Sequence, residues 1–334
     1  MQTYLLSTLQ CPACHGVLDW HIVEKVGERI ETAEARCDEC SSAYSVRDGI
    51  GIFLTPDLPR NDLWELVDHS IAEHIRQHPE IEQQLMDVPL ATLAPADQFF
   101  RALVLESHGE YHKAQEVEDL VNERLYTAEY LDCWQSQIDA VVNALQTTEG
   151  PVVDLASGRC GLVAELVRKL QCPIVATDFS PGVLRRNRKW LESFGLYDSV
   201  SLLAFDARRT PFKDGAVGTL TTNLGLPNIE EPGTLLEELY RIVDGTFLAI
   251  SHFFPEDDET NGSIIREAGL DKLLYKRTAL DQFTAADWDV ELLNTCTAEV
   301  RPTPPSIILE GARMDGLPIA DTTIEWCILS ATNS

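Results

Sequence analysis

The chain has 334 residues, 44% of them hydrophobic, and a formal net charge of −28 at pH 7. A chain of this length predicts about two domains, and its apolar content excludes global disorder. A surface this acidic repels phosphate backbones, which argues against bulk nucleic-acid binding.

The sequence contains no apolar run long enough to cross a bilayer. Its start, residues 1–10, lacks the basic region and cleavage pattern of a signal peptide. We therefore expect a cytoplasmic protein without a membrane span.

Two CxxC pairs lie near the start of the chain, Cys11 with Cys14 and Cys37 with Cys40. Four thiolates suit a tetrahedral zinc ion, and a closed site of this type is structural rather than catalytic. A redox role for either pair is the alternative. Because no βαβ pattern surrounds the pairs, the sequence favours structural zinc.

The residues between the two pairs predict a β-hairpin, Val17 to Val26 and Arg29 to Ala35, with its turn near Gly27. A unit this small has little core, so metal binding would supply much of its folding free energy. The remaining cysteines are expected to be separate thiols, most of them buried. They are Cys133, Cys160, Cys172, Cys296 and Cys327.

The cysteine pairs belong to a longer pattern that continues with Tyr44, Asp48-Gly49-Ile50 and Phe53-Leu54. This pattern resembles the small zinc-ribbon family that activates tRNA and protein methyltransferases. The resemblance covers residues 1–56 and implies structural zinc and a protein partner bound through the ribbon. Members of that family are usually separate partners, whereas here the ribbon, residues 1–58, would be fused to the rest of a longer chain.

The middle of the chain, residues 59–114, is predicted to be a helical linker or lid. A first helix would begin at Asn61 or Asp62 and run to Ile71, and a second would cover Ala96 to Leu105. Two further helices are predicted, Lys113 to Tyr130 and Leu131 to Leu145.

Tyr126 and Tyr130 would share one face of the third helix, since they are four residues apart. Two interpretations stay open for them: covering the mouth of a binding site, or packing between helices.

From Gly150 onwards, apolar runs alternate with helical segments. The predicted strands are Pro151–Asp154, Pro173–Asp178, Val200–Phe205, Val217–Asn223 and Thr246–His252. The predicted helices are Leu162–Leu170, Pro181–Phe194 and Thr234–Val243. This alternation predicts an α/β fold with a Rossmann-like, mostly parallel sheet. Two later stretches, Val290–Arg301 and Thr322–Ala331, predict an antiparallel hairpin at the sheet edge.

Acidic residues mark the carboxyl ends of three successive predicted strands: Asp154 ends the first, Asp178 ends the second and Asp206 follows the third. Ligands bind at the carboxyl edge of open α/β sheets, so these carboxylates are candidate ligand contacts. The small residues after Asp154 allow the backbone to approach a ligand closely. A nicotinamide dehydrogenase is the direct rival, but its GxGxxG pattern is not present here.

Three short segments carry a second resemblance: Asp154 to Gly161, Thr177 to Ser180, and Phe205 to Ala207. They resemble class I S-adenosylmethionine-dependent methyltransferases, and Asn223–Asn228 followed by Glu238–Ile242 resembles the quinone-biosynthesis type. By position, the resemblance implies a set of cofactor contacts. They are Asp154, Ala156, Ser157, Gly158, Gly161, Asp178, Phe179, Asp206, Ala207, Asn223 and Leu224.

The chain departs from this family at Ala156 and Cys160, where glycines are usual. The Cys160 side chain would replace bare backbone beside the cofactor.

The sequence thus predicts a methyltransferase domain over residues 115–334, acting on a small or medium organic acceptor. An RNA or protein methyltransferase, and a scaffold or activator with weak or no catalysis, are the alternatives. The candidate catalytic residues are His252, Asn223 and Asn228.

Overall fold

A computed structural model describes residues 1–55, 57–58, 74–75 and 77–333. The helix predicted from Asn61 or Asp62 to Ile71 lies outside these residues. The described strands are β1 Leu18–Val26, β2 Arg29–Cys37, β3 Ala43–Arg47, β4 Ile50–Ile52, β5 Val152–Leu155, β6 Ile174–Asp178, β7 Val200–Ala204, β8 Val217–Asn223, β9 Val243–Phe253, β10 Trp288–Val300 and β11 Thr322–Asn333.

Ten α-helices fall within the same residues. They are α1 Pro79–Asp87, α2 Pro95–Ser107, α3 Tyr111–Leu125, α4 Ala128–Ala144, α5 Gly161–Lys169, α6 Pro181–Ser193, α7 Pro232–Ile242, α8 Glu259–Glu267, α9 Asp271–Leu274 and α10 Lys276–Ala285. In this part of the chain, no helix is both long and apolar enough to span a membrane.

The described strands form one sheet in the order β1-β2-β3-β4-β7-β6-β5-β8-β9-β11-β10. The strands from β7 to β9 in this order are parallel to their neighbours. The hairpin of β10 and β11 closes one end of the sheet, with β11 antiparallel to β9. The predicted fold class, a Rossmann-like sheet with an antiparallel C-terminal hairpin, is confirmed.

The parallel strands are buried because both of their faces are apolar. Val152 and Val153 alternate between two core clusters, one on each side of the sheet. Helices α4, α5 and α6 cover one side, and α7 and α10 cover the other. Such two-sided burial is typical of parallel sheets in α/β proteins.

The N-terminal strands continue the same sheet, because β4 pairs in parallel with β7. The Arg29 guanidinium donates to the carbonyl oxygens of Val200 at 3.0 Å and Tyr197 at 2.7 Å, which ties β2 to the segment around β7. The predicted division into three domains stays a prediction. Its first boundary borders residues outside the described part, and its second, 114/115, falls inside α3.

The boundary between the third and fourth predicted helices was wrong. Helix α3 ends at Leu125 and α4 begins at Ala128, since the Thr127 hydroxyl caps α4 by accepting the Tyr130 backbone N–H at 3.2 Å. Tyr126 therefore follows the end of α3 while Tyr130 lies on α4, and their rings stack with centroids 4.8 Å apart.

The expectation of separate thiols at Cys133 and Cys296 was also wrong. Helix α4 packs across β10 and brings these residues together as a disulfide, with Cα atoms 6.2 Å apart. They are 163 residues apart in sequence, so only the tertiary fold reveals the pairing.

Candidate active site and cysteine cluster

A cavity of about 920 Å³ opens at the carboxyl ends of the parallel strands. It is lined by the loops after β5 to β8, by helices α3 and α4, and by residues 313–315, which belong to the segment between β10 and β11. Every predicted cofactor contact borders this cavity, and so does Asn228. The fold thus gathers residues that are far apart in sequence at the edge where α/β proteins bind ligands.

Asp154 is the most buried carboxylate of the site, with 1% of its surface exposed. The Thr221 hydroxyl donates to it at 2.8 Å. Burial raises the pKa of the Asp154 carboxyl to about 6, because the charged form loses its water shell. A cation bound in the cavity would favour the ionised form again.

The loop after β5 is held against the end of β6. The Ser157 N–H donates to the Thr177 carbonyl at 2.7 Å, and the Gly158 N–H donates to the Asp178 carboxylate at 3.2 Å. Asp178 also accepts the Ser180 N–H at 2.9 Å. These backbone donors fix the Asp178 carboxylate at the cavity wall.

Two non-glycine residues of this loop adopt left-handed backbone where glycine is favoured, Ala156 at φ 51° and Cys160 at φ 62°. Cys160 does not border the cavity; its side chain is buried in the core cluster that contains α5. The expectation that its side chain stands beside the cofactor was wrong, because the side chain is fully buried in the core.

Asp206 follows β7 and is engaged by Arg208. The Arg208 Nε and backbone N–H donate to one carboxylate oxygen at 3.0 and 2.9 Å, and Nη2 donates to the other at 2.7 Å. A carboxylate accepts about four hydrogen bonds, so Arg208 leaves little capacity at Asp206 for a ligand donor.

Asn223 ends β8 and borders the cavity. Its Oδ1 is buried and has no hydrogen-bond partner among the residues that the structure describes. Asn228 donates to the Leu224 carbonyl at 3.2 Å and so supports the neighbouring loop. A buried acceptor without a donor suits contact with a bound ligand.

His252 is not among the residues that border the cavity, contrary to its candidacy as a base. Strand β9 continues to Phe253, so His252 stays within the sheet and its ring packs against Trp326, with centroids 5.1 Å apart. Burial lowers the pKa of His252 to about 4, which keeps the imidazole neutral.

The sequence reasoning missed a buried ionic network beside the loop after β5. The Glu106 carboxylate of α2 accepts from Arg186 at 2.5 and 2.8 Å and from Arg159 at 3.0 Å, while Arg159 also pairs with Glu118. Burial alone would raise the pKa of Glu106, but the two arginines hold it below its ordinary range. The network joins α2 and α3 to the predicted cofactor loop.

A second missed contact joins Tyr126 to Asp315. The Tyr126 hydroxyl donates to Asp315 Oδ2 at 2.7 Å, and both residues border the cavity. No periodic pattern around Asp315 predicts this position, because it lies in an irregular segment.

The four predicted metal ligands, Cys11, Cys14, Cys37 and Cys40, form one cluster with all sulfur atoms within 4.8 Å of one another. The Sγ atoms of Cys11 and Cys40 are 3.6 Å apart, and those of Cys14 and Cys37 are 3.4 Å apart. These four thiols can hold a metal ion.

The two CxxC turns repeat one geometry. In each, the residue after the second cysteine, His15 or Ser41, has positive φ and donates its N–H to the carbonyl of the first cysteine. Gly16 lies so close to Cys37 that an added Cβ would come within 3.0 Å of its sulfur. The backbone is therefore shaped to bring two pairs of sulfurs together.

Residues 108–253 match the model of the ubiE/COQ5 methyltransferase family. The chain is 32% identical over 112 residues to a demethylmenaquinone methyltransferase of Streptomyces avermitilis, covering 33% of this chain and 43% of that one. It is 31% identical over 94 residues to the ubiquinone/menaquinone biosynthesis C-methyltransferase UbiE of Yersinia enterocolitica, covering 28% of this chain and 38% of that one.

Among solved structures, the YcgJ protein of Bacillus subtilis aligns with a TM-score of 0.48 and 13% identity, over 60% of this chain and 99% of that one. The matched region spans less than half the length of either curated relative. Over that region, the sequence matches support the resemblance to class I methyltransferases.

Proposed function

We propose that the protein is an S-adenosylmethionine-dependent methyltransferase that acts on a small organic acceptor. One observation carries this proposal: Asp154, Asp178 and Asp206 lie at the carboxyl ends of three adjacent parallel strands and border one cavity. The matched family supports the same activity.

The residues of the cavity fit S-adenosylmethionine by charge and by hydrogen bonding. The cofactor carries an ammonium and a sulfonium, and Asp154 offers a buried carboxyl whose ionised form a nearby cation would stabilise. Asp178 would accept hydrogen bonds from the ribose hydroxyls, while the Asn223 Oδ1 offers a buried acceptor. Once bound, the cofactor supplies the electrophilic methyl group, and the protein orients the acceptor and excludes water.

The adenine contact would involve Ala207 together with Asp206, which also borders the cavity. Because Arg208 occupies most of the Asp206 acceptor positions, we expect Asp206 to contribute less binding free energy than Asp178.

The acceptor is proposed to be a reduced quinone or a related aromatic diol. The two relatives are named for menaquinone or ubiquinone biosynthesis. The cavity, about 920 Å³, has the size of sites for small molecules. The stacked rings of Tyr126 and Tyr130 on its wall suit a flat aromatic ligand.

Titration calorimetry with S-adenosylmethionine tests the cofactor assignment. We expect saturable binding by the wild type and about 30-fold weaker binding by Asp178→Ala, since hydrogen bonds to a charged group contribute about 2 kcal/mol. Asp289→Asn, an exposed carboxylate on β10, is the control and should bind normally. Absence of wild-type binding at millimolar cofactor would overturn the proposal.

We also propose that the four-cysteine cluster holds a structural zinc ion. Tetrahedral zinc with bonds of about 2.3 Å places sulfurs about 3.8 Å apart, close to the 3.4 and 3.6 Å separations here. Zinc would stabilise the hairpin of β1 and β2, which continues into the large sheet.

Metal analysis of the purified full-length chain tests the zinc assignment. One zinc per chain is expected in the wild type, and Cys37→Ser should lose most of it and unfold at a lower temperature. Cys172→Ser, a cysteine outside the cluster, should keep its zinc. A wild-type protein without zinc would show that the assignment is wrong.

A further inference from the structure

The chain between β10 and β11, residues 301–321, replaces a tight hairpin turn and forms one wall of the cavity. Arg313, Met314 and Asp315 border the cavity directly. Ile308, Leu309 and Ala312 pack against the apolar cluster of α1 and α2. The segment is thus part of the folded structure around the site.

Two buried polar side chains fix this segment on opposite sides of Asp315. The Asp97 carboxylate, 1% exposed, accepts the backbone N–H groups of Ile307 and Ile308, each at 3.2 Å. On the other side, the Asn261 side-chain oxygen accepts the N–H groups of Ile319 at 2.8 Å and Ala320 at 3.3 Å. Asp315 is therefore held at a defined position over the cavity.

Aromatic contacts place Asp315 over the part of the sheet next to β8. Tyr126, its hydrogen-bond partner, stacks on Tyr130, whose ring meets Trp326 edge-on at 5.1 Å. Trp326 pairs directly with His252 on β9, and β9 is the neighbour of β8, which ends at Asn223. The Asp154, Asp178 and Asp206 carboxylates lie at the carboxyl ends of β5, β6 and β7 instead, which leaves the part of the cavity beside Asp315 for the acceptor.

We propose that Asp315 is the catalytic proton acceptor for the methyl-transfer reaction and that Tyr126 is its positioning residue. The inference rests on the proposed function, with an aromatic diol as acceptor. Asp315 takes the proton that the methyl group replaces on the acceptor. The acceptor's electron pair forms the new bond to the methyl carbon, and the broken bond leaves its electron pair on the now neutral sulfur.

The surroundings of Asp315 suit this role. Burial raises the pKa of its carboxyl, which increases its proton affinity, and the Tyr126 hydroxyl partly opposes this by bonding to the charged form. A base is most effective when its pKa lies near the working pH. The hydrogen bond from Tyr126 also leaves the other carboxylate oxygen to meet the acceptor.

The test uses the full-length chain with S-adenosylmethionine and 1,4-naphthalenediol. Asp315→Asn keeps the size of the side chain and its acceptor for Tyr126, and we expect its kcat to fall at least about 100-fold, as general-base catalysis predicts. Tyr126→Phe should lower kcat about 10-fold, with KM for the diol within about threefold of wild type. Asp321→Asn, an exposed carboxylate at the end of the same segment, should keep wild-type kcat.

Calorimetry separates this role from a structural one. Both variants should bind S-adenosylmethionine and, with S-adenosylhomocysteine present, the diol within about threefold of wild type, because the proton transfer follows binding. A kcat of Asp315→Asn within about threefold of wild type would overturn the inference alone. A wild-type protein that binds the cofactor but does not methylate the diol would overturn the inference together with the proposed diol acceptor, while the cofactor assignment would stand. A wild-type protein that does not bind the cofactor would overturn the proposed function as well.

Discussion

The buried carboxyl of Asp154 predicts a pH-dependent gain in stability when it is replaced by asparagine. Asparagine keeps an acceptor for the Thr221 hydroxyl but carries no titratable proton. In the wild type, the native pKa is about 6, against an ordinary value of 3.8. The folded state therefore binds this proton more tightly than the unfolded state does.

The sign and size of the change in stability with pH follow from this difference between the two pKa values. Below about pH 4 both states are protonated. As the pH rises, the unfolded carboxyl ionises first, and the wild type loses about 3 kcal/mol of stability by the time the native carboxyl ionises near pH 6. About 1.4 kcal/mol of this loss falls between about pH 5 and pH 7.5. The advantage of Asp154→Asn over the wild type should grow by that amount across the interval.

Urea unfolding followed by circular dichroism at about pH 5 and pH 7.5 measures this change, with Asp289→Asn as the exposed control. S-adenosylmethionine should raise the melting temperature of Asp154→Asn less than that of the wild type, because the variant has no carboxylate to pair with the bound cation. If the stability difference between Asp154→Asn and the wild type is the same at both pH values, or if the control shows the same pH dependence, the reasoning is refuted.

Two further substitutions test the structures around the cavity. Glu106→Gln should lower the free energy of unfolding by about 3 kcal/mol, since Arg159 and Arg186 lose their shared buried carboxylate. Urea unfolding measures this change. A loss of less than about 1 kcal/mol would contradict a tightly coupled ionic network. Gly225→Ala should cost about 1–3 kcal/mol, because its Cβ would lie 2.5 Å from Thr222 Oγ1 and 2.8 Å from Ala156 Cβ. Gly150→Ala, with open space around it, is the matched control, and equal melting temperatures for the two variants would contradict the close approach.

Local sequence pattern predicted the parallel part of the sheet because its strands are short apolar runs with acids at or just after their ends. Strand β8 was predicted with its observed bounds, Val217–Asn223. The cysteine spacing likewise predicted a cluster that the fold assembles. In these regions, the residues that favour a strand or a metal-binding turn locally are also the residues that the tertiary structure places there.

Contacts between residues that are far apart in sequence could not be predicted from local pattern. Nothing local to Ile50–Ile52 reveals that this short strand joins β7, or that Cys133 meets Cys296. Asp315 lies in an irregular segment whose position depends on buried side chains of α2 and α8. The prediction for His252 was wrong because the strand was expected to end at this residue. Strand β9 continues to Phe253, so His252 stays inside the sheet and does not reach the cavity.

Mass spectrometry of a reaction containing the full-length protein, S-adenosylmethionine and 1,4-naphthalenediol tests the central claim most directly. The account predicts a product heavier than the diol by one CH₂ unit, formed one-to-one with S-adenosylhomocysteine and formed more slowly by Asp178→Ala when the cofactor is below saturation. An unchanged cofactor after prolonged incubation with the diol and with other aromatic diols would contradict it.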